Sequence, residues 1–295
     1  MKIPHHNRYD YSSIRGRRDF SWPEGKRLAV YVAVNIEHFA FGTAIGHQIS
    51  AQNHVPDHRA FCWRDYGNRV GFWRLLDTLD ALEFPACHLI NSTMFDYAPE
   101  IAKAAAGRGD EIVGHGRTNS ERQGELWEED EARLICEARD VLETHTGKQP
   151  RGWMGPWLSQ SYHTPDLLQE AGFEFLMDWP CDDQPIWLRT RSGRMMAVPY
   201  GIDLNDATQM LFHHHTARAY GDMLIDRFNE MLRQAKDQPL VCAIPVHPMI
   251  VGQPHRLPHL RRALTHIHAH REDVWLTRPG EIYDYCASLP AGTIV

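Results

Sequence analysis

Short apolar segments alternate with amphipathic ones along most of this 295-residue chain. The first, residues 27–35, has the continuous apolar and β-branched run of a buried strand. The other predicted strands lie at residues 85–90, 111–115, 173–178, 194–200, 240–247 and 273–276, and the predicted helices lie at residues 69–83, 96–107, 125–146, 164–171, 220–235 and 257–270. This alternation predicts a mostly parallel sheet covered by helices.

Polar side chains stand at or just past the ends of several predicted strands. They are Glu37, His38, His115, Asp178 and His247. In a closed β/α barrel, the loops after the carboxyl ends of the strands form one catalytic face, whereas a doubly wound sheet gathers its ligands at a switch point. Because reactive groups follow so many different strands, the sequence favours a barrel, formed by residues 26–295 as a single domain.

Composition limits the possible partners and location of the protein. The 31 basic and 38 acidic residues leave a net charge of −7, so a general field for nucleic acid or an anionic membrane is not expected. The chain lacks both an N-terminal signal-like apolar run and any apolar run of about 18 residues, so we expect a cytoplasmic protein. Residues 1–25 are polar and basic. They predict an N-terminal arm, with a solvated tail favoured over an arm that drapes across a neighbouring subunit.

Two of the polar segments carry groups suited to hydrolytic chemistry. Glu37 and His38 end a buried strand, where burial would raise the carboxyl pKa toward the range of a general base. His115 and Asn119 are four residues apart, but asparagine is a poor zinc ligand, so this spacing predicts a metal site only weakly. A strand end that turns polar, and a structural histidine, are the alternative interpretations.

Three later segments add further candidates. Arg151 is able to clamp a carboxylate, and two tryptophans that follow it, Trp153 and Trp157, suit a pocket wall; a tight surface loop is the alternative. The acidic loop at residues 178–183 is either solvated or functional. His247 lies between two prolines, which gives the rigid presentation that a general acid needs.

Taken in this order, these segments resemble the five motifs of the polysaccharide deacetylase superfamily, the NodB-homology fold. Their flanks resemble the allantoinase-like and cyclic-imide-hydrolase-like branch. The flanking matches lie at residues 22–27, 66–71, 111–116, 198–206 and 251–254. The resemblance runs from about Trp22 to about Tyr285, and it implies a distorted (β/α)7-type barrel that hydrolyses an amide C–N bond.

The resemblance also brings a departure at the expected metal site. The family's metal-dependent members have a general-base Asp followed by a metal-binding Asp, and two metal-binding His four residues apart. Here Glu37 occupies the position of the base, while His38 and Asn119 occupy positions of metal ligands. The candidate metal set is therefore His38, His115 and Asn119, with zinc as the first candidate. The allantoinase-like branch equally implies hydrolysis without a metal.

These positions predict a set of roles. Glu37 would activate a water, and His247 would protonate the departing nitrogen, oriented by an aspartate of the 178–183 loop. His115, His38 or a metal would polarise the carbonyl, and Arg151 would hold Glu37 or another acidic partner. The orienting candidates are Asp178 and Asp182, and the substrate-binding candidates are Trp153, Trp157, Trp179, Tyr200 and Asp182.

A small cyclic amide, imide or ureide is the favoured substrate. The long polar segment at residues 43–68 and the Trp-rich loops predict walls that close over a small ligand. One alternative is a metal-dependent N-deacetylase of an amino-sugar oligomer or of another acetyl or formyl amide. A catalytically silent binding protein on the same barrel is the other. The resemblance implies a homo-oligomer, dimeric or tetrameric.

Overall fold

The computed structural model describes residues 3–42, 45–49 and 55–295. In these ranges one sheet contains the strands β1 Leu28–Ile36, β2 Ala86–Ile90, β3 Glu111–Gly114, β4 Gly152–Trp153, β5 Phe175–Leu176, β6 Ile186–Thr190, β7 Gly193–Ala197, β8 Leu240–Val246 and β9 Trp275–Leu276. The helices are α1 His58–Tyr66, α2 Phe72–Ala81, α3 Met94–Tyr97, α4 Pro99–Gly107, α5 Glu128–Thr146, α6 Thr164–Glu170, α7 Ala217–Gln234, α8 Pro248–Val251, α9 Leu257–Ala269 and α10 Pro279–Ser288. Among the described helices, none combines the length and apolar character needed to cross a membrane.

The sheet has the strand order β6-β7-β5-β4-β3-β2-β1-β8, and the short β9 also pairs with β1. Every pairing from β7 to β8 along this order is parallel, and β6 joins as the antiparallel arm of a hairpin with β7. This is a half-barrel of the (β/α)7 type, so the predicted fold class is confirmed.

Strand β1 is buried on both faces because it lies between β2 and β8 with packed layers on either side. Its side chains alternate between the two layers. Ala29, Tyr31 and Ala33 belong to the inner cluster of the barrel. Val30 and Val32 belong to the outer cluster, which contains the apolar faces of the helices. The uninterrupted apolar run in the sequence reflects this double burial.

The same alternation determines which residues reach the interior at the carboxyl edge of the sheet. Successive side chains of a strand point to opposite faces, so residues two apart share a face. The inner cluster includes Ala33 on β1, Val113 on β3 and Ala243 on β8. Continuing these series in steps of two leads to Glu37, His115 and His247, all of which are buried.

The N-terminal arm lies against its own chain. The Arg8 guanidinium donates to both carboxylate oxygens of Asp166, at 2.6 and 2.7 Å. The Arg8 carbonyl accepts a hydrogen bond from the backbone nitrogen of Arg189 in β6, at 2.7 Å. The favoured prediction of a solvated tail is therefore wrong for this part of the arm, because Arg8 is buried on an acidic partner at the edge of the sheet.

Candidate active site

Glu37 follows β1 directly, and its carboxylate is the centre of a buried polar cluster. The side-chain amide of Asn119 donates to its Oε1 atom. The Nε2 atoms of His247 and His115 lie 3.4 and 3.9 Å from the same oxygen. The other oxygen, Oε2, is shielded from solvent and has no hydrogen-bond partner among the described residues. Since buried polar atoms are nearly always hydrogen-bonded, Oε2 is the atom free to meet a water or a substrate.

His247 follows β8 and is held by Asp206. One Asp206 oxygen accepts from the ring Nδ1 at 2.6 Å, and the other accepts from the backbone nitrogen of His247 at 2.8 Å. This pairing fixes the ring so that Nε2 faces Glu37. Burial alone would lower the His247 pKa, but the charges of Asp206 and Glu37 outweigh it and raise the pKa to about 10. His247 therefore carries a proton at neutral pH.

The charge on His247 also decides the state of Glu37. Burial acts to raise the Glu37 pKa, but the charge of the nearby His247 outweighs it and lowers the pKa well below its usual range. The prediction that burial would raise this pKa is wrong, because the sequence does not reveal the cation beside the carboxylate. The resting pair is a carboxylate next to an imidazolium.

His47 covers this pair from the segment at residues 45–49. Its ring centroid lies 5.6 Å from that of His247 and 4.8 Å from that of Trp157. Its backbone carbonyl accepts from the buried guanidinium of Arg64 at 3.1 Å. Burial lowers the His47 pKa to about 4, so the ring is neutral at neutral pH. The long polar segment at residues 43–68 predicts a wall, but nothing in its pattern distinguishes His47 from its polar neighbours.

His115 and Asn119 complete the cluster. The ring Nδ1 of His115 lies 2.6 Å from the Met154 carbonyl oxygen, which only accepts hydrogen bonds, so Nδ1 is the protonated nitrogen. Its Nε2 is buried, faces Glu37 and has no described hydrogen-bond partner. Asn119 accepts from Asn91 at 3.0 Å and donates to Glu37. Asn119 is thus placed to position the carboxylate.

A cavity of about 1260 Å³ opens beside this cluster, with His47 on its wall. Its other walls include the aromatic side chains of Trp63, Trp157 and Phe212 and the guanidinium of Arg256. These walls combine aromatic and aliphatic side chains with polar and charged ones, and small-molecule sites are concave regions where such groups converge. Its position, at the carboxyl edge of a parallel barrel sheet, is where such folds place their catalytic groups.

Comparison with known proteins finds a matching domain and similar structures. The family model for polysaccharide deacetylase matches residues 53–176. A peptidoglycan deacetylase from Helicobacter pylori is 22% identical over 244 residues, which cover 72% of this chain and 82% of that protein. The crystal structure of PuuE allantoinase superposes with a TM-score of 0.81 at 25% identity, covering 91% of this chain and 93% of that one. Residues 53–176 therefore form part of a polysaccharide deacetylase domain.

A probable polysaccharide deacetylase from Pseudomonas aeruginosa has the same fold, with a TM-score of 0.80 at 24% identity over 90% of this chain and 92% of its own. The chain is a hydrolase of C–N bonds other than peptide bonds, the class to which the deacetylase and the allantoinase that it resembles belong. The predicted branch resemblance agrees with the likeness to PuuE allantoinase.

The metal set implied by the family does not form in this chain. His38 is one residue past Glu37, so it faces the opposite, outer side, where it stacks on Tyr97 and bonds the Thr93 hydroxyl at 2.9 Å. Asn119 presents its amide nitrogen, which is a donor, toward Glu37. His38, His115 and Asn119 therefore do not converge on one point. The family's metal does not fit these three residues as they stand.

A different group could hold a cation. One ligand atom each from Glu37, His47 and His247 lie within 4.8 Å of one another. A cation there would have to displace the proton that Asp206 and Glu37 hold on His247, since a metal ligand is a neutral imidazole. Metal binding and the imidazolium form of His247 therefore exclude each other, and the cluster as described is an acid–base pair.

Arg151 lies at the opposite edge of the sheet. It precedes β4, whereas the catalytic cluster follows the strands, so the two are at opposite ends of the barrel. Its guanidinium pairs with two acidic partners, Glu174 and Asp284. The predicted contact with Glu37 is wrong for this reason, and the acidic partners that Arg151 does hold are remote from the site.

The aspartates predicted to orient His247 also lie elsewhere. Met177 belongs to the inner cluster, so Asp178, one residue later, faces the other side. Asp178 accepts from the backbone nitrogen of Gly155 at 2.8 Å, and burial raises its pKa to about 8. Asp182 pairs with Arg17 of the N-terminal arm at 2.6 Å. The orienting residue is instead Asp206, the last residue of the flanking match at residues 198–206.

The four aromatic residues predicted to line the pocket lie in different parts of the structure. Trp157 lines the cavity and donates to the Asn119 carbonyl at 2.9 Å. Tyr200 lies inside the barrel, where its hydroxyl bonds Asn35 at 3.1 Å. Trp153 is in the outer core, and Trp179 packs against the N-terminal arm. Trp157 is the one of the four that contacts both the cavity and the catalytic cluster.

Proposed function

We propose that this chain hydrolyses the C–N bond of a small cyclic amide, imide or ureide. The observation that supports this choice most directly is the burial of Glu37 and His247 behind His47, beneath the segment at residues 45–49. A polymer deacetylase needs its reactive carboxylate in an open groove along which a chain can lie. A covered pair beside an aromatic cavity suits a compact ring better. The likeness to PuuE allantoinase supports the same class of substrate.

Glu37 acts as the general base in this proposal. Its Oε2 takes a proton from a water, and the water oxygen attacks the carbonyl carbon of the substrate. The Nε2 of His115, which is buried, faces Glu37 and has no described partner, is placed to hydrogen-bond that water and so orient it. The prediction that His115 polarises the carbonyl changes accordingly, because its Nδ1 proton is committed to the Met154 carbonyl. The neutral His47 is placed to donate to the developing oxyanion.

His247 acts as the general acid. Its Nε2 proton passes to the nitrogen of the tetrahedral intermediate as the C–N bond breaks, and the proton gained by Glu37 later returns to His247 or to solvent. The carbon keeps the water oxygen and becomes a carboxylic acid, which ionises in water. In a ring, both new ends stay in one molecule. Asp206 stabilises the imidazolium before the transfer and holds its orientation throughout.

A hydrolysis panel tests the proposal. The purified protein would be incubated with allantoin, hydantoin, succinimide, N-formyl and N-acetyl amides and chitooligosaccharides, each with and without a chelator. We expect ring opening of at least one cyclic compound, unchanged by chelation, in protein whose elemental analysis shows far less than one metal ion per chain. The matched Glu37→Gln protein, checked for folding by circular dichroism, identifies any contaminating activity.

The other outcomes point to the alternative functions. Acetate release from chitooligosaccharides that chelation abolishes would replace the proposal with a metal-dependent deacetylase and give the Glu37, His47 and His247 group a metal. Thermal stabilisation by ring compounds with no turnover of any compound would favour a binding protein. Homo-oligomer formation stays a prediction, which light scattering in solution would test.

A further inference from the structure

Charged side chains on the cavity wall are paired, with one exception. Arg122 lies 3.1 Å from Glu125, and Glu121 is paired with Arg117 at 2.8 Å. Arg256 lines the same cavity but makes no side-chain hydrogen bond or ion pair with any residue that the structure describes. It is therefore the cation in this wall whose charge the described part of the protein leaves without a partner.

The surroundings of Arg256 make this lack of a partner informative. Its Nη1 nitrogen is shielded from solvent and has no hydrogen-bond acceptor. The nearest acidic influence is Asp206, but both Asp206 oxygens already accept hydrogen bonds from His247. The Asp206 carboxylate is thus committed to the general acid. The Nε and Nη2 nitrogens of Arg256 are not shielded in this way and form no hydrogen bond with a described residue, so they are the donors open to a ligand in the cavity.

A partly desolvated cation without an acceptor is unfavourable, so its retention on a cavity wall indicates that a ligand supplies the acceptor. The guanidinium presents a planar fork of N–H groups whose geometry matches a carboxylate. A neutral ring would satisfy such a fork poorly, since a single carbonyl oxygen engages one arm of it well. The chemistry of the wall therefore favours a ligand that carries its own negative charge.

We infer that Arg256 binds a carboxylate on the substrate, and that the substrate is a cyclic amide, imide or ureide bearing an acidic side group. In this arrangement the carboxylate rests on Arg256 while the ring carbonyl reaches the Glu37–His247 pair past His47. The inference rests on the proposed function and narrows its substrate class. Arg256 is the specificity-determining residue in this assignment and takes no part in proton transfer.

A pair of probes tests this without turnover. Hydantoin-5-acetic acid and its primary amide have the same ring and differ in the charge of the side group. Binding of both would be measured by calorimetry to the Glu37→Gln protein, which cannot complete the reaction. We expect the acid to bind at least about tenfold more tightly than the amide, the difference typical of a hydrogen-bonded charge pair. Equal affinity for the two probes, or no binding of either, would overturn the inference.

Variants of the two cavity arginines then locate the effect. In the Glu37→Gln background, Arg256→Gln should abolish the preference for the acid, while Arg256→Lys should retain part of it. Arg122→Gln, which removes the paired arginine of the same wall, should leave the preference in place. A preference that survives Arg256→Gln, or that disappears in Arg122→Gln, contradicts the assignment. Circular dichroism and melting temperature confirm that each variant is folded.

Steady-state kinetics with otherwise wild-type protein separates this inference from the proposed function. If Arg256→Gln lowers kcat/KM for acidic rings about tenfold or more and leaves neutral rings unchanged, both stand. If neutral and acidic rings are opened equally well by both proteins, the proposed function stands and the inference fails. If no ring is opened, the proposed function itself fails, and the binding preference alone decides the role of Arg256.

Discussion

Two histidine–aspartate pairs lie buried in this sheet, and they differ in what surrounds them. His247 at the end of β8 bonds Asp206 at 2.6 Å, and His88 within β2 bonds Asp110 at 2.8 Å. Both histidines are buried, and each forms a hydrogen bond with an aspartate carboxylate through one ring nitrogen. By geometry alone, either pair would qualify as a catalytic dyad.

The surroundings distinguish the two pairs. The free nitrogen of His247 faces the Glu37 carboxylate at 3.4 Å, at the edge of the sheet where the cavity opens. His88 is in the middle of its strand near Phe72, and Asp110 also accepts from Arg108 and from a backbone nitrogen. The Asp110 pair is therefore a satisfied structural network. The two pairs therefore differ in the second ring nitrogen, which in His247 faces the Glu37 carboxylate at the carboxyl edge of the sheet.

Removing the Glu37 carboxylate, which faces the His247–Asp206 pair, should have the largest effect on turnover. Glu37→Gln keeps the shape of the side chain but removes the base, so kcat should fall about 10²–10⁴-fold. The measurement is steady-state turnover of whichever ring compound the hydrolysis panel identifies. Glu174→Gln, which removes a carboxylate from the opposite edge of the sheet, is the control and should leave kcat unchanged. Full activity in Glu37→Gln would remove the base assignment.

Replacing the aspartate of each pair by asparagine should have a smaller effect on kcat/KM. The two replacements should differ, because the first should change the pH profile and the second should change stability only. Asp206→Asn leaves His247 in place but removes the charge that raises its pKa to about 10, so that pKa should fall. The alkaline limb of kcat/KM should move to lower pH, and kcat/KM at pH 7 should fall about 10- to 100-fold, less than when an acid or base is removed outright.

The matched variant is Asp110→Asn. It should lower the melting temperature, because it breaks a buried network, but leave the pH profile of kcat/KM where it is in the wild type. An unmoved alkaline limb in Asp206→Asn would show that His247 is not the acid that the profile reports. A moved limb in Asp110→Asn would show that the two pairs are not distinct.

The sequence predicted the fold and the central pair because both depend on local pattern. The apolar runs and the polar residues that end them predict a β/α barrel with Glu37, His115 and His247 at the ends of its strands, and the half-barrel brings these three side chains together. The prediction from sequence was wrong where a shift of one residue decides which face of the sheet a side chain points to. His38 and Asp178 each follow an inward-facing residue, Glu37 and Met177 respectively, and so point outward.

The remaining errors concern contacts between distant parts of the chain. Asp206 and His47 reach His247 from loops, and Arg256 reaches the cavity from the turn before α9. No spacing in the sequence records such contacts. Arg151 was misplaced for a local reason. It precedes β4, so it lies at the amino edge of the sheet and not at the carboxyl edge with Glu37. Knowing where the strand begins is enough to make this distinction.

The pH dependence of stability should separate the two pairs most finely. The His247 pKa is raised to about 10 in the folded protein, above the ordinary value of 6.5. Its protonated form therefore stabilises the fold fully below about pH 6.5, and this contribution disappears as the pH rises through about 10. The Asp110 pKa is lowered instead, since His88 and Arg108 outweigh the burial that acts to raise it. Its contribution is present above its usual range and is lost in acid.

Urea unfolding of the wild type, His247→Gln and Asp110→Asn at pH 4 to 10 measures this contrast. The loss of stability in His247→Gln, about 1–3 kcal/mol near neutral pH, should shrink toward pH 10. The loss in Asp110→Asn should stay constant from pH 6 to pH 10 and shrink only toward pH 4. A loss in His247→Gln that does not change with pH would mean that His247 is neutral in the folded protein. The resting pair would then hold no imidazolium, and the proton for the leaving nitrogen would have to come from another group.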